Sequence, residues 1–499
     1  MTFRYSKTAT STLKILLIFI FSGGSTLLVA QPNTLYFMKG IPQTKDINPA
    51  RPGITEGFYI SMPLFSKIDL AANTNNWAYN DIIHKGIDNT LLNNTAGNQG
   101  WNQSDSLVVD ANKFLGSLSN KNFVFESAAL TVLEGGFKKG KNFYAASITE
   151  REFTEVSFNR NLVNLVVSGN YPYLGRSYYS GNFGVSAAHY REFTFNYSHD
   201  LTKKLTIGAA AKILFGMSTV HSNGLHFRAT SAALGNYLDV TASGRVRLSV
   251  PVDFDYTSRG EIKKVYSLPN YTARDYMINF SNPGFAMDLG LAYHLNKKTE
   301  ISASIIDLGM IGWRSNVAQF IEQGHFLYRG LSLNDPAKTP PVITVLNPLI
   351  NQLSDSISAA FRPDTSVTHF ATLLPVKIYF GLDYQLNDIW NLSGLTRIRI
   401  INNTIHTSLT ASANTLLWNR LTLSASYSLM ESTFDNLGFG AGIKAGPFQL
   451  YAATDNIVSP FYPAKARNMN LRVGINFIFD HQKRGNSGSS LNPNCHCPY

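Results

Sequence analysis

Along residues 376–479, apolar and polar side chains alternate with a period of two, the pattern of an extended strand with one face in grease and the other in water. In 419–430, Leu421, Leu423, Ala425, Tyr427 and Leu429 alternate with Arg420, Thr422, Ser424, Ser426 and Ser428. In 404–415, Ile405, Thr407, Leu409, Ala411 and Ala413 alternate with His406, Ser408, Thr410, Ser412 and Asn414, and 471–479 repeats the theme. A soluble sandwich alternates in the same way, so the spacing of the strands has to separate the two. Upstream, connections switch between a few residues and several dozen, as short turns on one side and long loops on the other do in a transmembrane β-barrel.

Following the alternation along the chain predicts strands at 56–73, 122–135, 141–150, 184–199, 204–215, 284–295 and 299–309. Six more in tight hairpins and a last one at 469–479 complete the set. The predicted fold is all-β: a transmembrane antiparallel barrel of about 14 strands, an even count with both termini on one side. A hairpin hidden in 225–250 would change that count by two. Long extracellular loops are expected at 74–120, 151–183, 216–283 and 310–375, with the short turns and both termini in the periplasm. Tyr197, Tyr293 and Tyr384 each stand three residues before Asp200, Asn296 and Asn387, a phenol at headgroup level above an Asp or Asn turn. Trp390 and Trp418 continue that girdle.

The N-terminal residues change the picture by adding export. Arg4, Lys7 and Lys14 precede an apolar run at 15–21 and small residues up to Ala30, so 1–30 reads as a secretory signal peptide. Its apolar run is shorter than the ~20 residues a spanning helix needs. Residues 31–55 contain Asn48-Pro49-Ala50-Arg51-Pro52-Gly53, too rich in Pro and Gly for a strand or helix, and are expected to form a plug segment. The barrel should occupy 56–480 and a flexible tail 481–499.

Removing 1–30 lowers the formal charge from +11 to +8. On an exported chain this suits anionic lipid or an anionic lumen substrate. Without a basic stripe interleaved with aromatics, nucleic acid is not expected as a partner. The two cysteines, Cys495 and Cys497, lie in the last five residues, so no disulfide frame holds the fold. With His496 they supply only three metal ligands, too few for a closed site.

Two glycine motifs fail on context. Gly135, Gly140 and Lys141 have phosphate-loop spacing, but Asn142 replaces the required Ser or Thr and strands flank both sides, so the stretch reads as a turn. Gly438, Gly440 and Gly442 share one face of a strand, where small lumen-facing residues admit a neighbouring segment. No Gly-x-Ser-x-Gly elbow or paired His is present, so neither an enzyme nor a cofactor is expected.

Register brings charged residues together. With Leu386 and Trp390 both outward, Asn387-Asp388-Ile389 must turn the chain, setting Lys377 opposite Arg399 and Tyr379 opposite Arg397. A two-residue hairpin at Asn402-Asn403 then sets Arg399 opposite His406 and Arg397 opposite Ser408. Lys377, Tyr379, Arg397, Arg399 and His406 are thus expected to face the lumen as a ligand-binding or lumen cluster. Acidic residues of an inserted loop or Asp383 are expected to neutralise it, the alternative being a bound anion or lipid headgroup. The inward faces of these hairpins read as charged and hydroxylated rather than greasy.

Asn48-Pro49-Ala50, Glu150-Arg151-Glu152, Tyr190-Arg191-Glu192 and the closing Arg-Val-Gly-Ile-Asn-Phe-Ile-Phe at 472–479 resemble an uncharacterised family of outer-membrane barrels from Bacteroidota. That family is similar in turn to FadL-type long-chain fatty-acid transporters and to PorV, the barrel of type IX secretion. The resemblance implies a lumen plug at Asn48, Pro49 and Ala50, with hydrophobic ligand leaving sideways through the wall. It implies a location in the outer membrane, contact with its lipid, and recognition of the last strand by the barrel-insertion machinery. The function it favours is a channel or carrier for small or hydrophobic molecules. The alternative is a non-transporting scaffold that docks a secretion-system or surface-protein partner.

Overall fold

Residues 33–85, 107–168, 173–233, 237–256, 262–328, 361–363, 369–401, 404–430 and 433–479 are described by a computed structural model. The leader 1–30, the tail 481–499 with its two cysteines, Asn402-Asn403 and much of 310–375 lie outside these described residues.

Alternating sequences become strands here because each can bury a polar face inward and leave an apolar face outward. In chain order they are β1 (Gly57–Ser61, resuming as Lys67–Thr74), β2 (Lys121–Lys139), β3 (Asn142–Asn159), β4 (Ser177–Asp200), β5 (Leu205–Ser231), β6 (Leu238–Ser249), β7 (Pro283–His294) and β8 (Thr299–Trp313). They continue as β9 (Val317–Tyr328), β10 (Phe370–Leu373, resuming as Val376–Gln385), β11 (Trp390–Ile401), β12 (Thr404–Leu417), β13 (Leu421–Met430), β14 (Thr433–Ala445), β15 (Phe448–Thr454) and β16 (Asn468–Phe479). All pairings among them are antiparallel. β1 pairs with both β2 and β16, closing the barrel, and Phe58 stacks on Phe479 at the seam, 4.7 Å between centroids.

Among the described residues the barrel has sixteen strands rather than about 14 because β6 and β9 are additional; the short segment Phe361–Pro363 pairs beside β9. β5 pairs with β7 through Phe215, then with β6 from Thr219 onward. β8 gives way to β9 after Arg314-Ser315-Asn316, where Asn316 has φ +54°, and β9 pairs with β6. β6 therefore continues above β7 in the same gap of the wall, and the β5–β6 hairpin is the one that 225–250 could conceal.

Of the expected loops, 216–283 is thus largely strand, and 151–183 is strand at 151–159 and 177–183 with a helix, Arg160–Ser168, between them. β4 and β5 run for 24 and 27 residues, against 14 in β12. At ~3.3 Å per residue and ~40° tilt, fourteen residues rise ~35 Å, which already exceeds a ~25 Å apolar band. The extra length of β4 and β5 stands in water. There the outward face has no reason to be apolar, and the period-two signal disappears while the ladder continues.

Polarity is inverted relative to a soluble protein. Phe380, Leu409 and Phe439 are exposed, whereas Arg397, Arg399, His406, Ser424 and Ser428 are buried. At the turn end, the side-chain carbonyl of Asn296 accepts from the Lys298 and Thr299 amides, and that of Asn387 from the Ile389 and Trp390 amides, closing the Asx turns. Residues 33–55 lie inside the barrel, in two 3-10 turns, Asn33–Phe37 and Pro42–Asp46.

Candidate functional site

The N-terminal segment is seated by residues the wall supplies for it. Asp455, at the end of β15, accepts the Asn33 and Thr34 amides at 2.8 and 2.9 Å and the Thr34 hydroxyl at 2.6 Å. The three glycines of β14 open the space beside it. A Cβ on Gly438 would stand 2.5 Å from Thr34 Oγ1, one on Gly440 2.5 Å from Met38 Sδ, and one on Gly442 2.9 Å from Ile41 Cδ1. Further toward the turn end, Asn48-Pro49-Ala50 presses on β5 and β7. A Cβ on Gly208 would fall 2.3 Å from the Pro49 carbonyl carbon, and one on Gly290 2.2 Å from Asn48 Oδ1. Asn48 Nδ2 donates to the backbone carbonyls of Leu291 and Ala303, both at 3.3 Å, and to the Tyr36 hydroxyl at 3.0 Å.

Ion pairs lock the same segment. Lys45 contacts Asp46 and Glu134 at 2.6 and 2.9 Å, and Lys67 of β1 contacts Asp46 at 2.5 Å. Arg472 of β16 pairs with Asp69. Burial pushes the Asp46 carboxyl up, but Lys45, Lys67 and Arg472 around it prevail and hold it well below the usual carboxylate range. Burial lowers the Lys45 ammonium, and Asp46 with Glu134 more than reverses that. At the exit, Arg51 meets Glu300 at 2.7 Å and lies over the Phe37 ring, 4.9 Å from its centroid.

Above this segment the wall's own charges link neighbouring strands along its inner face. Lys212 of β5 meets Asp307 of β8 at 2.5 Å and Asp288 of β7 at 2.8 Å. Lys377 of β10 takes the other Asp307 oxygen at 2.6 Å, and Arg151 of β3 meets Glu192 of β4 at 2.8 Å. Asp307 has φ +62°, the left-handed region, and its amide donates to Asp288 at 2.7 Å. The cavity beside this layer, against Asp69, Phe125, Arg151, Phe153, Tyr190 and Lys377, measures about 30 Å³, one water's worth.

The register of the lumen cluster is the one the sequence implies. Lys377 pairs with Arg399 and Arg399 with His406 in one cross-strand row; Tyr379 pairs with Arg397 and Arg397 with Ser408 in the next. Asp383 lies six residues along β10 from Lys377, ~20 Å toward the turn end. It is held there by Asn391 at 2.8 Å and by Ser393. Wall carboxylates take the role expected of Asp383: Asp307 on Lys377, and Glu155 of β3, 3.3 Å from His406. Asp307 and Asp288 carried a legible signal, each being a lone charge in the middle of an apolar strand.

The lumen is also greasier than its C-terminal hairpins suggest. Phe123, Phe125, Phe153, Tyr190, Leu214, Trp313, Phe370 and Ile401 form one buried cluster in its loop-side half. Phe125 reaches across to Arg399, whose guanidinium lies 3.7 Å from the ring centroid, and Phe123 packs edge-on to His406 at 4.5 Å. The longer strands β2–β5 and β8 contribute most of these residues; Phe123, Phe125, Tyr190 and Leu214 lie in stretches the alternation already assigns to strands, whereas Phe153, Trp313 and Phe370 lie in expected loops.

Residues 52–455 match the model described as Family of unknown function (DUF5723). No curated protein matches the chain. Among solved structures, the Ralstonia pickettii toluene transporter TbuX is similar over 91% of this chain and 99% of its own, at 12% identity and a TM-score of 0.39. The P. putida toluene transporter TodX aligns over 92% of this chain and 97% of its own, at 11% identity and a TM-score of 0.36. A Pseudomonas aeruginosa FadL homologue aligns over 92% and 100%, at 10% identity and a TM-score of 0.33. Likenesses this faint speak neither to substrate nor to mechanism.

Proposed function

We propose that this chain, which belongs to the DUF5723 family, is an outer-membrane channel for small hydrophobic molecules, held shut by its own N-terminal segment. The observation that carries the reading is the apolar layer of Phe123, Phe125, Phe153, Trp313 and Phe370 in the loop-side lumen, bordered by Arg399, Lys377 and His406. An apolar body with an anionic end suits such a layer. The outward apolar belt supports membrane residence, and the long loops would then face the exterior, leaving both termini in the periplasm. Nucleophile–base chemistry plays no part in this reading.

The second reading is the non-transporting scaffold for a secretion or surface partner, and the ion pairs that tie 33–55 to the wall favour it. Planar-bilayer conductance and proteoliposome uptake of a small apolar acid discriminate the two. A variant lacking 33–51 should open a steady conductance and accelerate uptake. If it stays closed and takes up no more than protein-free liposomes, the channel is excluded and the scaffold stands.

A further inference from the structure

The outer surface of the barrel is not uniform around its circumference. On β11 and β16 the outward rows carry no charge over a full strand: Trp390, Leu392, Gly394, Thr396, Ile398 and Ile400 on one, Leu471, Val473, Ile475, Phe477 and Phe479 on the other. Across β2, β3 and β4 the belt starts in the same way at the turn end, where Phe137, Tyr144 and Tyr197 stack at 5.1 Å intervals. It then breaks early. Glu150 and Arg191 pair across β3 and β4, and in the row above Glu152 stands opposite His189. Glu126 of β2 lies one row further up, opposite Thr154.

Height decides what this break means. From Tyr144 to Glu150 is six residues, ~20 Å along the strand and ~15 Å along the barrel axis at ~40° tilt; Glu152 follows at ~20 Å and the Glu126–Thr154 row at ~25 Å, so the charges run from the interior of a ~25 Å apolar band to its loop-side edge. Charged side chains facing hydrocarbon are costly, and a wall carrying four of them is a poor surface to leave to lipid tails. Glu126 and Glu152 are exposed, whereas Glu150 and Arg191 are mostly covered by one another.

A strap lies against this wall. The one-turn helix Ala273–Met277 places the Tyr276 hydroxyl 2.7 Å from His189 Nδ1 and 3.0 Å from Ser218 Oγ. Phe280 packs edge-on against Phe215 of β5 at 4.7 Å, and Met277, Ile278 and Phe280 turn apolar surface outward. The result is a polar centre with an apolar flank on the membrane side of the barrel.

We propose that the outer wall of β2–β4, with the 272–280 strap beside it, is a docking face within the membrane for a protein partner presenting Lys or Arg side chains. This rests on the outer-membrane reading above. Three carboxylates against one guanidinium leave the face negative, so a cationic partner side chain completes it. A second copy does not, because facing copies would oppose carboxylates. Lipid tails offer the ionised groups nothing, and the apolar flank supplies the contact area that a charge pair alone lacks.

The test places a photoreactive phenylalanine at Ala128, in the same outward row as Glu152, in cells of the native host. The same probe at Ala411 on the opposite wall is the control. The expected result is one discrete protein adduct from Ala128, mapped by mass spectrometry to a segment bearing Lys or Arg, and lipid adducts alone from Ala411. Glu126→Gln with Glu152→Gln should weaken the Ala128 protein adduct several-fold while leaving heat-modifiable gel mobility, and hence the barrel, intact. Adducts from Ala128 to lipid alone or to a second copy, or a protein adduct indifferent to both substitutions, would overturn the proposal. Absence of lipid adducts at Ala411 would instead sink the outer-membrane reading, and the docking face with it.

Discussion

The two halves of the lumen are closed by different means. From the turn side up to Ser408 the closure is a separate stretch of chain, 33–55, resting on glycines and tied by Asp455, Asn48, Lys45 and Arg51. In the loop-side half it is the wall itself: Lys212, Asp307 and Lys377 joining three strands, and Phe125 lying on Arg399 from across the barrel. The first closure can leave as a unit, breaking a countable set of polar contacts. The second can open only by rotating side chains or moving strands. A channel built this way keeps its gate and its selectivity in different halves, whereas a scaffold has no use for the distinction.

The comparison breaks most violently at Asp307, which bridges Lys212 and Lys377. Asp307→Asn removes the charge but keeps a residue that tolerates its left-handed backbone. Two buried ammonium groups then lose their shared partner, a change that typically costs ~3–5 kcal/mol. Urea unfolding in detergent should show a loss of that order, with the N-terminal segment still protected from protease. A barrel of unchanged stability would mean that Asp288 and Glu192 suffice for Lys212 and that the bridge is dispensable.

The turn-side closure yields to a smaller push. Alanine at Gly208 and Gly290 places methyl groups where the Pro49 backbone and Asn48 Oδ1 now sit. Overpacking of this kind costs ~1–3 kcal/mol. Here it falls on the segment's seat rather than on the sheet. Expected are protease nicking within 33–51 and a flickering conductance, with unfolding of the barrel unmoved. Loss of the barrel instead would show that the segment is part of the folding core.

How much of this is legible in the sequence divides along the same lines as the strands. In β10–β16 the chain crosses the membrane once and turns, so every residue must satisfy both lipid and lumen. The alternation is then strict enough that the residue pattern alone pairs Lys377 with Arg399 and Arg399 with His406. The glycines of β14 are likewise readable as space for a neighbour, and the neighbour is Thr34, Met38 and Ile41. In β2–β6 and β9 the strands outrun the membrane, the outward constraint lapses, and 216–231 or 238–249 looks like loop. The apolar layer is only partly hidden: Phe153, Trp313 and Phe370 fall in expected loops, whereas Phe123, Phe125, Tyr190 and Leu214 stand in strands the alternation predicts. The partner of Lys377 is hidden for a different reason: Asp307 is distant in sequence, and its pairing runs through β8–β10 across a long connection.

A milder probe of the turn-side closure is acid. Asp46 is held below its ordinary value, so its stabilising contribution is complete above ~pH 4 and is lost only as pH falls through the depressed value. Lys45 is held above its ordinary value, so its share persists from acid up to ~pH 10 and fades only beyond that. Protease access to 33–51 should therefore be flat between ~pH 5 and ~pH 9 and rise in strong acid. Asp46→Asn should raise access at neutral pH and flatten the acid response. A midpoint near neutrality would point to a histidine rather than to this ion pair.

The smallest expected effect concerns Arg397 and Arg399, and it belongs to the loop-side half. The N-terminal segment is expected to leave too little ion flow to read selectivity, so the pair is changed to Gln in the variant lacking 33–51. One positive charge then leaves the row that still contains Lys377 and His406, faced by Asp307 and Glu155, and one leaves the Tyr379–Ser408 row beside it. The reversal potential under a salt gradient should move modestly toward cation preference. Since the screening length shrinks from ~10 Å at 0.1 M to ~3 Å at 1 M, the shift should fade as salt rises. A shift that survives molar salt would mean that the substitutions reshaped the pore rather than its field. No shift even in dilute salt would mean that the wall carboxylates already cancel both guanidinium groups, leaving the apolar layer alone to choose what passes.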